Sequence, residues 1–458
     1  MVADANSPTQ QAADAQNTMD ADHAIGPAAW YSVWLICAVT LLQNIDRSII
    51  NLLVQPIKHD LGLSDTKIGL ILGLAFALFY MGVGLPLSRL ADRRSRKIIL
   101  AMGLTIWSVA TGLSGAARNF AQLFVMRGIV GGAESVAGPS TMSMISDLVP
   151  RRKLPRAFAI YQLNISLGQM GALFIGGALL ALFSRIGPID LPLLRGAKPW
   201  QLTFLACMIP GLLLALVLML TVREPVRRGA RRPDPVPVRE VMRYVAANKA
   251  IYLPLLLSIG IQAIDSMGLA AWRPAFYERT YGWGPQRVGQ LLGTSMLIST
   301  PIALVCGTWL AERLSRGGRS DAMVRACFYC QLMAMPFTIA TPLMPTAWAA
   351  FVCGTIGSTF GLMAAPAQNS AIQLVTPGEI RAQISALYLF TISAIGMALG
   401  PFIVALATDF VLKNEDMLRY SMSGFALILA PIGVLAMRLA MKPYGRAVAR
   451  LHGPHEGD

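Results

Sequence analysis

The sequence predicts an all-α membrane protein in which 12 transmembrane helices form two pseudo-symmetric six-helix bundles. Three observations carry this. Of 458 residues, 55% are hydrophobic and only 14% charged, against about 25% charged in an ordinary soluble domain. The apolar residues fall in runs of the length that crosses a bilayer, about 20 residues. And the second half of the chain repeats features of the first.

Taken in order, residues 1–28 hold no Lys or Arg and no apolar core, so they read as a disordered cytoplasmic tail and carry no signal-peptide pattern. Six spans follow at 30–54, 66–89, 97–117, 120–147, 156–184 and 200–222, completing an N-terminal bundle over 29–222. Segment 223–249 is a long polar linker, extended at its Pro-rich middle, with a short interfacial helix expected from Val238 to Asn248. Six more spans at 250–276, 286–311, 321–342, 346–374, 382–409 and 418–440 form a C-terminal bundle over 250–441, before a cytoplasmic tail at 442–458.

The formal net charge of +15 has two readings. Basic proteins bind nucleic acid by neutralising phosphates, whereas membrane proteins accumulate Lys and Arg in cytoplasmic loops. Roughly two thirds of the 39 Lys and Arg residues lie in loops on the side of the termini, at 89–97, 151–156, 223–249, 313–325, Arg381 and after Met437. Topology therefore accounts for the charge. The expected chain is a multi-pass monomer of the bacterial inner (plasma) membrane with both termini cytoplasmic, and no nucleic-acid partner.

The six cysteines lie in apolar stretches and the four histidines in tails or a loop. Neither pattern suits a disulfide framework, a metal site or a buried His relay. Cys327-x-x-Cys330 sits inside a span and reads as packing. No G-x-x-x-x-G-K-[ST] occurs, so nothing suggests ATP as the driving force. No cofactor or metal is expected.

The repeat is visible at one constant offset. Lys67-Ile-Gly-Leu-Ile-Leu-Gly73 aligns with Arg287-Val-Gly-Gln-Leu-Leu-Gly293, and Leu90-Ala-Asp-Arg93 with Leu310-Ala-Glu-Arg313. Asp46 falls within one residue of Asp265. An even number of spans between copies makes this a parallel repeat, related by an axis along the membrane normal.

Ser88-Arg-Leu-Ala-Asp-Arg-Arg-Ser-Arg-Lys97 resembles the loop 2–3 signature of the major facilitator superfamily, G-x-L-A-D-R-x-G-R-K, with serines at both glycine positions. Asn44-Ile-Asp-Arg47 and Arg127-Gly-Ile-Val-Gly-Gly-Ala-Glu-Ser135 most resemble the bacterial spinster-like branch of lysolipid and sphingolipid transporters. Organic-anion symporters share the span 1 Asp-Arg and the span 4 Arg with a downstream Glu, and Pro139 fits them too. The resemblance implies the major facilitator fold and a secondary active, proton-coupled transporter working by alternating access. Its substrate would be an amphiphilic anionic lipid; a small organic-anion symporter or a multidrug efflux pump is the alternative. A non-transporting receptor or an intramembrane enzyme is the rival from another class. The duplicated halves and the lack of a His/Ser/Cys constellation oppose the enzyme.

Charges inside spans narrow the site, since each costs about 2.5–3.5 kcal/mol at mid-bilayer even on lenient scales. At about 1.5 Å per residue, Asp46 lies roughly 24 Å from the start of span 1, with Arg127 about 10 Å and Glu134 about 21 Å from the outer end of span 4. Asp46, Arg47, Arg127 and Glu134 thus share a depth and are expected to form a four-membered cluster. A static network fastening spans 1 and 4 is one reading. The other is a switch in which Asp46 and Glu134 carry the proton while Arg47 and Arg127 hold a head group or ion pair, because Arg stays charged. Asp265 is a candidate substrate or ion-pair contact, or a partner of neighbours such as Gln262; Arg273 could snorkel outward. The resemblance further places Asp92 near the start of span 11 and pairs Arg96 with Asp147. With Glu312 as repeat counterpart of Asp92, these form a cytoplasmic gate.

Overall fold

A computed structural model describes residues 27–150, 153–191, 194–225 and 237–452 of the chain. Span 1 is Pro27–Leu61. Span 2 begins as Asp65–Gly69, widens into a π-helical turn at Leu70–Ala75 and continues as Phe76–Arg93. Spans 3, 5 and 6 are Arg96–Ser114, Leu154–Ile186 and Pro199–Thr221. A small antiparallel hairpin, β1 (Ile189–Leu191) with β2 (Leu194–Ala197), links the last two. Spans 7 to 10 are Lys249–Tyr281, Pro285–Arg316, Ala322–Ala340 and Ala347–Val375. Span 11 joins Arg381–Phe390 to Met397–Leu406, with π-helical turns at Thr391–Gly396 and Ala407–Leu412. Span 12 is Leu418–His452.

Local chemistry sets these ends. Ser95 Oγ, Asn119 Oδ1 and Thr346 Oγ1 accept from the backbone N–H three residues on, at Ile98, Gln122 and Ala349, capping spans 3, 4 and 10. Pro199 and Pro285 occupy first turns, where their missing N–H costs nothing. Span 7 stops at Gly282, whose φ of 66° few other residues adopt without strain.

Among the described residues, 11 helices are long and apolar enough to cross a membrane. The twelfth span is the fourth in sequence, and it is broken. Phe120–Glu134 and Ala137–Leu148 are separated by a loosened turn at Ser135 and Val136. Pro139 has no N–H to give the Ser135 carbonyl, so the helical ladder lacks a rung directly after Glu134. Glu134 therefore sits on an irregular piece of backbone.

The packing repeats with the sequence. Spans 1 and 5, 2 and 4, and 3 and 6 pack closely in the first half; spans 7 and 11, 8 and 10, and 9 and 12 do so in the second. Across the halves, span 5 meets span 8 and span 2 meets span 11, again equivalent under the same shift. Between the halves the helices touch at the end of the bundle opposite the termini. A Cβ on Gly73 would stand 2.5 Å from the Met397 carbonyl, and one on Gly289 2.3 Å from the Leu173 carbonyl. Lipid offers no hydrophobic drive between helices, so such close backbone approaches are what hold membrane bundles together.

The linker ends in helix Val238–Ala247. Val241, 4% exposed, packs with Tyr244 and Val245 into the core formed by Tyr252, Ile380 and Tyr444. It is thereby fastened to the C-terminal bundle.

Candidate functional site

Spans 1 and 4 bring the four predicted charges together. Arg47 donates through Nε and Nη2 to Glu134 Oε2, at 3.2 and 2.8 Å. Gln43, one turn earlier, donates to the same oxygen at 3.3 Å and to the Glu134 carbonyl at 3.2 Å. The Arg47 guanidinium rests over Phe76 and Tyr80 of span 2, 4.5 and 5.6 Å from their centroids, an arrangement that favours a cation. Arg127 lies within electrostatic reach of both Glu134 and Asp46, and Trp107 of span 3 stands against Asp46.

Burial divides the cluster. Glu134 is sealed at 0% exposure and Arg127 at 1%, while the Arg47 side chain keeps 28% of its surface. Two Arg127 donors, Nε and Nη1, and the Glu134 acceptor Oε1 are buried without a hydrogen-bond partner. An unsatisfied buried polar group costs about 1–3 kcal/mol, and more when charged. Orphan donors and an orphan acceptor on two residues within electrostatic reach of each other are thus an expensive arrangement, of the kind a proton or anionic ligand would relieve. Gln43 and the aromatic shelf were not foreseen. Only the span 1 periodicity that puts Gln43 one turn from Arg47 hints at them.

Asp265 is buried with Oδ1 unpartnered. Its expected neighbour Gln262 is turned away, donating to the Gly361 carbonyl at 3.0 Å and accepting from Gln331 and Gln368. The charge within reach of Asp265 is Arg273, two turns further along span 7.

At the face of the termini, Arg96 donates to Asp147 at 2.5 Å and to Ser143 at 2.7 Å. Sequence reasoning missed the other half of this network. Glu224, just past span 6, takes Arg96 Nε at 3.1 Å, Ser95 Oγ at 2.7 Å and the Lys97 N–H at 2.8 Å. Burial opposes the Glu224 charge, yet these bonds together hold its carboxyl below the ordinary 4.5. Glu312 does not join the network. It pairs with Arg316 one turn along its own helix, at an exposed site, because four-residue spacing satisfies it locally. The Asp92 side chain lies outside the described residues.

The opposite face carries a cluster that went unread, since its members look like loop charges in sequence. Arg279 of span 7 donates from Nη1 and Nη2 to the two Asp65 oxygens at 2.7 Å each. Lys58 reaches Asp65 at 2.8 Å and also contacts Glu415. The Thr66 N–H donates to Asp409 at 2.6 Å. Both halves contribute, so these bonds close that face.

Known proteins share this fold. A bacterial homologue of the human lysosomal transporter Spinster, solved in an inward-facing and unoccupied conformation, superposes with a TM-score of 0.75 at 24% identity, covering 93% of this chain and 98% of that one. An MFS-type efflux pump of Mycolicibacterium smegmatis is 27% identical over 94% of this chain and 98% of its own length. Protein spinster of Drosophila melanogaster is 21% identical over 85% of this chain and 64% of its own. The Major Facilitator Superfamily profile matches residues 36–401, from within span 1 to within span 11, and takes in the intramembrane charge cluster. The chain belongs to the major facilitator superfamily.

Proposed function

We propose that this transporter couples proton movement to the passage of an amphiphilic anion, working by alternating access with its termini in the cytoplasm of a bacterial inner membrane. The observation that carries the reading is the pair of orphan Arg127 donors beside the orphan Glu134 oxygen, buried next to an Arg47 that retains solvent access. Protonating Glu134 removes the charge that holds Arg47. The freed guanidinium then offers its fork to an anionic head group, a bidentate match that suits phosphate or carboxylate. Asp46 is the second proton site, set against Arg127. Binding and protonation thereby favour the same release of the span 1–span 4 contact, so each ligand stabilises the state the other prefers. Resemblance to spinster-like proteins points to a lysolipid or sphingoid phosphate. The full-length likeness to an efflux pump favours a second reading, export of amphipathic drugs through the same site.

Purified protein in liposomes with an imposed pH gradient tests this. Labelled lysolipid should cross with accompanying proton movement, and Asp46→Asn or Glu134→Gln should each cut gradient-driven flux at least about tenfold. Flux unchanged in both variants would end the proton reading. Competition by lysolipid, hexuronate and cationic drugs sorts the substrate classes.

A further inference from the structure

The charge cluster at the closed face has an internal arithmetic. Four of its side chains are ion-paired, two cations and two anions, and each half of the protein owns one of each: Lys58 and Asp65 in the first half, Arg279 and Glu415 in the second; Asp409 of the second half takes the Thr66 N–H instead. In the closed arrangement the pairing runs across the seam. Asp65, with a side chain 0% exposed, accepts from Arg279 and from its own neighbour Lys58, while Lys58 also reaches over to Glu415. Arg279 already donates to the Glu415 backbone carbonyl at 3.2 Å, and the Glu415 carboxylate lies within its electrostatic reach.

We propose that these four side chains form a partner-exchange lock, in which opening this face trades the cross-seam pairs for one neutral pair inside each half, Lys58–Asp65 and Arg279–Glu415. The proposal rests on the alternating-access reading. A plain ionic latch would leave Asp65 and Arg279 with water as their only partners on opening, whereas an exchange keeps each of them in an ion pair. Lys58 and Asp65 belong to the same half and keep their pair, and Arg279 already touches the residue that carries its new partner. The same geometry gives Lys58 an unexpected sign. It is a cation facing the cation Arg279 across one shared carboxylate, so it weakens the closed state by repulsion and supports the open state by keeping Asp65 paired. Its cross-seam contact to Glu415 is to a side chain 51% exposed, where an ion pair contributes about 0–1 kcal/mol.

Spin labels at Arg118→Cys and Pro345→Cys, exposed positions in loops of the two halves on this face, report its opening as a distance distribution. The measurement is made without substrate or pH gradient, in a background lacking reactive native thiols. Arg279→Gln should raise the long-distance population about tenfold. Lys58→Gln should lower it below the unmodified protein, whereas a plain latch predicts that it rises. A rise with Lys58→Gln, or no change with Arg279→Gln in protein that melts normally, would overturn the lock. Should Arg279→Gln fail to fold, Arg279→Lys keeps the charge and loses the fork, and a smaller rise is expected; no rise would overturn it. A distribution that never lengthens in any variant or with substrate present would instead count against alternating access itself.

Discussion

Gly73 shows how much one missing methyl group decides. It lies in the π-helical turn of span 2 and faces the backbone of span 11 across the seam, where a Cβ would meet the Met397 carbonyl at 2.5 Å. Gly307 is equally crowded, 2.2 Å from the Met363 carbonyl, but it and Met363 both belong to the second half. Overpacking costs about 1–3 kcal/mol at either site, yet the consequence should differ. Gly73→Ala is expected to open the seam, raising solvent access on that face with little change in melting temperature. Gly307→Ala should lower the melting temperature by several degrees and leave access unchanged. Thermal unfolding with a thiol-access assay on the same samples checks both. Gly69 and Gly73 are legible in the sequence as part of the repeat; which helix they contact is not, because spacing fixes the face of a helix and not its neighbour.

At the scale of elements, span 4 and the segment after span 6 carry the most. Span 4 was legible as a span and its charges as a two-turn pair, but its break was not read, although Pro139 was in view. Glu224 is the clearer omission. It was counted as part of a polar linker, yet it ties the start of span 3 to the end of span 6 through Ser95, Arg96 and Lys97. Its folded carboxyl titrates below the ordinary value of 4.5, so its contribution is fully present above that value and is lost as pH falls through the lower folded one. Glu224→Gln should cost about 1.5 kcal/mol at neutral pH, in line with loss of charge-assisted hydrogen bonds. The cost should shrink steadily as the pH is lowered below 4.5, as seen by melting at neutral pH and across the acid range. A cost that does not change with pH would show that the charge is irrelevant.

For the whole molecule, the repeat governs which helices touch, and the seam governs which face is shut. Span 5 abuts span 8 so closely that a Cβ on Gly177 would lie 3.2 Å from the Gln286 Cα. Cysteines at Gly177 and Gln286 should therefore cross-link on oxidation, holding the face closed. Transport should stop and return when the bond is reduced; persistence of transport in the cross-linked protein would show that this face need not open. The sequence by itself determined the solvent, the span count, the duplication and the set of charges in or beside the membrane, because a span in lipid must satisfy its own backbone and its burial is written in one-dimensional hydropathy. The meeting of Asp46, Arg47, Arg127 and Glu134 was legible because depth follows from counting residues along straight helices. Only the tertiary structure decided that Arg47 rather than Arg127 holds Glu134, that Gln262 ignores Asp265, and that Asp65 joins Arg279 across the seam. Those choices depend on helix rotation and on the docking of two halves, which rest on contacts of a few kcal/mol between residues far apart in the chain.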